Sequence, residues 1–175
     1  ECWYISLAHG NPFGTLVKYS TENNQAVART TLGLFPASME ISTITGFLYC
    51  VNFNLHGSMK PSNVSVVDPE TMTEVTKITT GSMPHGSRLS PDGLFQYSVA
   101  MMSGELFEID ALDLKVSRVL NLEKNMMNDK KMDGKMMNHD NMKGKMMTND
   151  KKESMMNTMD GMKHSMVKPT WVIPH

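Results

Sequence analysis

Thirteen methionines crowd into residues 126–166, where their neighbours are Lys, Asp, Asn and Gly. Methionine usually fills gaps in a core beside other apolar side chains, yet this stretch contains no Leu, Ile, Val or Phe. Thioether sulfur is a soft, neutral ligand that suits Cu(I) or Ag(I) and is poor for Zn, Ca or Mg. It also binds without losing a proton, unlike a thiol. The composition therefore predicts a segment that captures a soft metal ion, most simply Cu(I).

The spacing of these methionines excludes an ordinary helix core. Doublets begin at positions 126, 136, 146 and 155, and the unit is approximately M-M-N-x-x-x-M-x-G-K. Ten helical steps leave a stripe rotated by about 80°, and glycine inside the unit disfavours helix further. With little to bury, the segment is predicted to be disordered, or ordered only by its ligand.

Short spacings within the segment let a chain wrap two or three sulfurs around one ion, and two histidines add nitrogen donors. These tracts resemble the Met-rich segments of bacterial copper-resistance proteins and of some multicopper oxidases. The candidate ligands of the segment are Met126, Met127, Met132, Met136, Met137, His139, Met142, Met146, Met147, Met155, Met156, Met159, Met162, His164 and Met166.

Three other interpretations of the segment stay open. The first is a low-complexity expansion without a ligand. The second is a sink for oxidants in which Met cycles through its sulfoxide. The third is a pliable surface for another protein. The absence of Leu and Phe argues against the last. An RNA-binding role is disfavoured, because the segment has no Arg and no aromatic residue, and acidic residues offset its lysines.

The rest of the chain reads as short strands separated by turns. Residues 63–68, 74–80, 86–89 and 94–100 are predicted strands, and Ser90-Pro-Asp-Gly93 is a tight-turn sequence between the last two. A similar order occurs 48 residues earlier, with Gly33 and Pro36 in place of Gly81 and Pro84, and it begins again at residue 104. Four strands in a period of roughly 40–50 residues are typical of a β-propeller blade.

The stretch SVVDPETMTEVTKITTGSMPHGSRLSPDG resembles the YVTN-type β-propeller repeat found in lactonase-like and cytochrome-like proteins. The match is good for residues 63–100, fair for 104–122 and loose for 15–53. The resemblance implies an all-β fold of four-stranded antiparallel blades and a periplasmic or extracellular location. It does not fix the activity, because unrelated functions share this fold.

Three regions follow from this alignment. Residues 1–122 form under three blades, 123–168 are a Met-rich low-complexity insert in a D–A connection, and 169–175 begin the next inner strand. Aligning Pro169 with Pro84 stops the chain inside a blade, so a fragment is expected. The chain begins at Glu1, so any signal peptide is expected to be removed or outside this fragment. Cys2 and Cys50 form no metal motif, and their pairing is left open.

Strand parity predicts a shared face for the chemistry-bearing loops. In blades with strands A to D, the B–C loops and the D–A connections must emerge on one side, opposite the A–B and C–D turns. His9, His56, Met83 and His85 are assigned to that side, together with the insert, and are candidate secondary ligands. The competing interpretation for each histidine is ordinary loop polarity, or a hydrogen bond that ties a loop.

The predicted function is an extracytoplasmic propeller module that captures Cu(I) through the Met-rich loop. A formal net charge of −1 and the lack of a long apolar run predict neither a nucleic-acid partner nor a membrane span. Other copper-handling or redox proteins are the expected partners. The alternative is a lactonase-like or redox propeller enzyme with the insert as a lid or oxidant sink. No recognisable catalytic motif occurs in the chain, so no catalytic residue is assigned.

Overall fold

The computed structural model describes residues 1–122 and residue 124, so the predictions for residue 123 and residues 125–175 lie outside the described residues. Within the described part, eleven strands account for nearly all the regular structure. They are β1 (Cys2–Leu7), β2 (Thr15–Ser20), β3 (Ala26–Thr31), β4 (Pro36–Ile41), β5 (Leu48–Asn52), β6 (Pro61–Asp68), β7 (Thr73–Ser82), β8 (Pro84–Leu89), β9 (Phe95–Ala100), β10 (Glu105–Asp110) and β11 (Lys115–Asn121).

The strands form three antiparallel sheets in chain order. The first has the order β1-β2-β3, the second β4-β5-β6-β7 and the third β8-β9-β10-β11. The expected all-β class and the partial, four-stranded antiparallel blades are thus confirmed. The predicted strands of 63–100 are each present, although β6 and β8 begin two residues earlier than expected, at Pro61 and Pro84.

Repeated turns end the strands at one side of the sheets. In the second and third sheets the A–B turns close on Gly46 and Gly93, whose φ angles are 74° and 72°, a region that glycine enters without steric cost. The C–D turns also repeat: an oxygen of Asp68 accepts from the N–H of Glu70, and one of Asp110 from Leu112, both at 2.9 Å. These turns support the four-strand period inferred from the sequence.

Two apolar clusters hold the sheets face to face. One joins the first and second sheets and includes the fully buried Leu16 and Leu48. The other joins the second and third sheets and includes Val66 and Ile109, also fully buried. Because side chains alternate along a strand, the middle sheet uses one set of residues for each neighbour.

Polar groups add specific ties between the sheets. The Ser6 hydroxyl donates to the carbonyl of Ala37 at 3.1 Å, joining the first sheet to the second. The Ser38 hydroxyl donates to the carbonyl of His85 at 2.8 Å, so the inner strands β4 and β8 lie side by side. The Tyr49 hydroxyl donates to the carbonyl of Ala111 at 3.1 Å inside the second interface. These three hydroxyls are thus satisfied by carbonyls of the neighbouring sheet.

Both cysteines are free. Cys2 is exposed on β1, whereas Cys50 is buried on β5 in a different sheet. Burial raises the pKa of the Cys50 thiol to about 12, since a thiolate would lose its hydration there. Cys50 therefore acts as a small core residue.

Candidate functional site

Loops of all three sheets gather at the end opposite the tight turns, and we call this surface the loop face. It comprises residues 8–14, 53–60 and 101–104, the connection 32–35 and the single residue Met83 between β7 and β8. Backbone bonds join the two kinds of connection: Phe53 donates to the carbonyl of Phe35 at 2.8 Å, and Met101 to that of Met83 at 3.0 Å. This is the clustering that strand parity predicts for B–C loops and D–A connections.

The histidines of the loop face pack against phenylalanine rings. His9 lies edge-on to Phe35 with centroids 5.1 Å apart, and His56 approaches the same ring at 6.1 Å. His85 lies edge-on to Phe53 at 5.2 Å. Such T-shaped contacts are favourable between ring edges and faces. Phe35 and Phe53 were missed by reasoning from the sequence, although both directly flank the assigned loops.

One correction concerns His85. The sequence placed it in a D–A loop, but the structure places it as the second residue of β8, with Met83 alone forming the connection. The strand begins early because Pro84 already has the extended backbone that β8 needs, and its missing N–H falls at the strand start. His85 still lies at the loop-face end of β8.

A cleft of about 240 Å³ opens between the first and second sheets on the loop face. His9, His56 and Asn54 supply its polar groups, and Leu34 and Phe35 are among its apolar walls. The cleft therefore presents both apolar and hydrogen-bonding groups on the loop face.

The loop face carries unusual backbone conformations. Phe35 and Met83, which precede Pro36 and Pro84 at equivalent places in the repeat, have φ angles of 54° and 53°. Asn54, Ser58 and Met59 also have positive φ, between 51° and 61°. Non-glycine residues in this region store strain that the surroundings must hold in place, and such residues concentrate at functional sites. This surface is therefore the best candidate for function in residues 1–122.

The predicted ligands fall into two groups. His9, His56, Met83 and His85 do share the loop face, but the described residues contain no group of three or more His, Cys, Asp and Glu able to hold a metal ion. The candidate ligands from 126 to 166 lie outside the part of the chain that the structure describes. Their role in binding metal stays a prediction.

Asp92 and Ser90 lie in the A–B turn between β8 and β9, at the end of the sheets opposite the loop face and its histidines. The Ser90 hydroxyl donates to Asp92 Oδ1, and the N–H of Leu94 donates to the same oxygen at 3.1 Å. These bonds lower the pKa of the Asp92 carboxyl, with the Ser90 hydroxyl as the largest cause. The pair thus stabilises a turn.

Comparisons with known proteins support the propeller architecture. The fold is similar to hydrazine synthase of Kuenenia stuttgartiensis, with a TM-score of 0.53 and 23% identity, covering 61% of this chain and 31% of that one. It is also similar to the Dos1 propeller, with a TM-score of 0.52 and 14% identity, covering 69% of this chain and 34% of that one. Residues 1–122 are built of β-propeller blades, and the chain spans about a third of these structures.

No family model matches the sequence, and no curated protein matches it. At these identities the similar structures show the fold alone. In the region that the structure describes, no helix is long and apolar enough to cross a bilayer.

Proposed function

We propose that this chain is part of a periplasmic or extracellular propeller that captures Cu(I) through the methionines of residues 126–166. The YVTN-type repeat pattern supports the blade assignment and the location. The soft, neutral donors of the segment support the choice of metal. Partners of this chemistry are other copper-handling or redox proteins.

One structural observation carries the proposal: the chain leaves β11 on the loop face. Asn121 at the end of β11 pairs with Glu105 at the start of β10, and the N–H of Leu122 donates to the carbonyl of Gly104 at 2.9 Å. Gly104 belongs to the loop that carries Met101 and Met102. The last residues that the structure describes before the Met-rich segment therefore lie on the loop face, which supports a role of this face in the proposed function.

Titration of the full chain with Cu(I) against a competing chelator tests the proposal. Replacing the doublets Met126-Met127, Met136-Met137, Met146-Met147 and Met155-Met156 by Leu should lower the number of bound ions and weaken the affinity by at least about tenfold, because apolar carbon cannot donate to the metal.

The matched control is Met72→Leu, which changes a buried methionine on the opposite side of the sheets and should leave Cu(I) binding unchanged. Unaltered binding in the doublet variant would refute the proposal and favour a low-complexity, oxidant-sink or protein-binding role. The alternative of a propeller enzyme stays a prediction, because likeness to enzymes at this identity concerns the fold alone.

A further inference from the structure

A second group of methionines lies within the described part of the chain. Residues 1–122 contain six methionines, and four of them, Met59, Met83, Met101 and Met102, occupy loops of the loop face. Met39 lies on β4, and Met72 lies in the opposite C–D turn. Methionine is thus concentrated at one surface even outside residues 126–166.

Three hydrogen bonds bring these four residues to one point. Met101 donates its N–H to the carbonyl of Met83 at 3.0 Å, and Met102 donates to the carbonyl of Ser82 at 3.2 Å. The Ser82 hydroxyl donates to the carbonyl of Met59. Two loops, 53–60 and 101–104, therefore meet Ser82 and Met83 at the connection between β7 and β8. Methionine side chains have three rotatable bonds, so four thioethers anchored here can turn toward a common ligand.

The backbone does not require methionine at these places. In the second sheet the equivalent connection carries Phe35, whose carbonyl accepts from Phe53 at 2.8 Å, and aromatic rings fill the same region. The third sheet has the same backbone bonding with Met83 and Met101 instead. The backbone therefore does not require methionine at the third sheet, and the thioether side chains themselves must account for its presence there.

A nearby carboxylate favours a bound cation at this point. A Cβ placed on Gly81 would lie 2.8 Å from Glu105 Oε2, so a carboxylate lies near the end of β7, two residues before Met83. Neutral thioethers leave the charge of a monovalent cation uncompensated, and a nearby carboxylate offsets it.

We propose that Met59, Met83, Met101 and Met102 form an ordered thioether site for Cu(I), distinct from the ligands of residues 126–166. The proposal shares its metal with the function proposed above but uses ligands outside residues 126–166, so either can fail alone. Met83, named above as a candidate secondary ligand, here belongs to the ordered site. Half-buried Met83, Met101 and Met102 provide the fixed part of the site, and Met59, 47% exposed, lies at its open side.

The test uses the full chain labelled with ¹³C at the methionine methyl groups and titrated with Ag(I), a soft probe that does not change oxidation state under these conditions. The methyl resonances of Met59, Met83, Met101 and Met102 should shift, whereas those of Met39 and Met72 should not. The same four shifts should appear in a variant in which the thirteen methionines of 126–166 are replaced by Leu. Four unshifted resonances would overturn the proposal.

A double variant, Met83→Leu with Met101→Leu, supplies an independent measurement. It should bind one Ag(I) fewer than the parent chain. The matched control is Met72→Leu, because Met72 also has a positive φ, of 55°, and this variant should bind the full number of Ag(I) ions. Full stoichiometry in the double variant would refute the ordered site and leave the function of the segment untouched. If Ag(I) binding is lost only in the variant whose methionines of 126–166 are replaced by Leu, the ordered site is also refuted and the function of the segment is untouched.

Discussion

At the scale of single residues, the described part of the chain shows that a chemically capable side chain acquires its role from its neighbours. His9, His56 and His85 were selected because imidazole binds metals, and the structure places each against a phenylalanine ring. Ring packing and metal binding are compatible, since an edge contact uses only part of the imidazole. The sequence identified the three histidines, but only the folded structure, in which distant loops meet, shows that they pack against Phe35 and Phe53.

The two cysteines give a prediction at this scale. At pH 8 the Cys50 thiol, with its pKa raised from 9.0 to about 12, should contain on the order of 10³-fold less thiolate than an ordinary one. We therefore expect iodoacetamide to label Cys2 rapidly in the folded protein and Cys50 only after unfolding. Mass spectrometry of Cys2→Ser, which retains Cys50 alone, measures the rate.

The same shift predicts how stability depends on pH. A group whose pKa is raised by folding contributes stability below its unfolded pKa, and that contribution is lost as pH rises above about 9.

In the labelling experiment, rapid reaction of Cys50 in the folded Cys2→Ser variant would contradict the burial of Cys50.

At the scale of elements, the repeat is maintained by its turns. Asp68 and Asp110 occupy the same place in successive C–D turns, and each carboxylate accepts backbone N–H groups. The turns close on Met72 and Leu114, with φ of 55° and 52°. Strand lengths and apolar positions vary between the second and third sheets, but this turn chemistry does not, because a reversal of the chain needs a particular backbone path.

Replacing Asp110 by Ala should lower the melting temperature at pH 7. The N–H groups of Asp113 and Leu112, in that order, lower the pKa of the Asp110 carboxyl by bonding its charged form. Its contribution is therefore present above the ordinary carboxyl pKa and disappears as pH falls through the lowered one. The difference between Asp110→Ala and the parent chain should shrink as pH falls below the ordinary carboxyl pKa of 3.8, in thermal unfolding followed by circular dichroism.

Two controls isolate the turn from the charge. Asp110→Asn keeps an acceptor oxygen and should retain most of the stability. Asp113→Ala removes the exposed ion pair with Lys115 in the same turn and should change little. An equal loss in all three variants would show that charge, and not the turn bond, is responsible.

At the scale of the whole molecule, each sheet contacts its neighbours in series. Leu48 and Val66 both belong to the second sheet, but Leu48 packs toward the first and Val66 toward the third. In arrays of this kind, stability is approximately the sum of the units and of the interfaces between them. The two interfaces should therefore respond separately to mutation.

Leu48→Ala and Val66→Ala form a matched pair for this expectation. Burial and cavity terms predict losses of about 2–5 and about 1–3 kcal/mol respectively. In hydrogen exchange, Leu48→Ala should reduce protection mainly in β2 and β3, and Val66→Ala mainly in β9 and β10. A uniform loss across all three sheets in both variants would show a single cooperative unit.

Much of this fold was predictable because its signals are local. Alternation in 63–68, the Ser90-Pro-Asp-Gly93 turn and the repeat of Gly and Pro together predicted the strands, their order and the side on which the loops emerge. The starts of β6 and β8 were missed, because Pro61 and Pro84 were assigned to the preceding B–C loop and D–A connection. Proline at the first position of a strand loses no ladder bond.

By itself, the sequence determined the propeller repeat, the concentration of methionine and the sharing of one face by the B–C and D–A connections. These follow from composition and from strand parity, which need no coordinates. Only the tertiary structure decided that His9 and His56 flank one phenylalanine ring and that Met59, Met83, Met101 and Met102 converge on Ser82–Met83. Such contacts join residues from different loops, and their geometry depends on how the sheets pack and on which backbone angles the turns adopt.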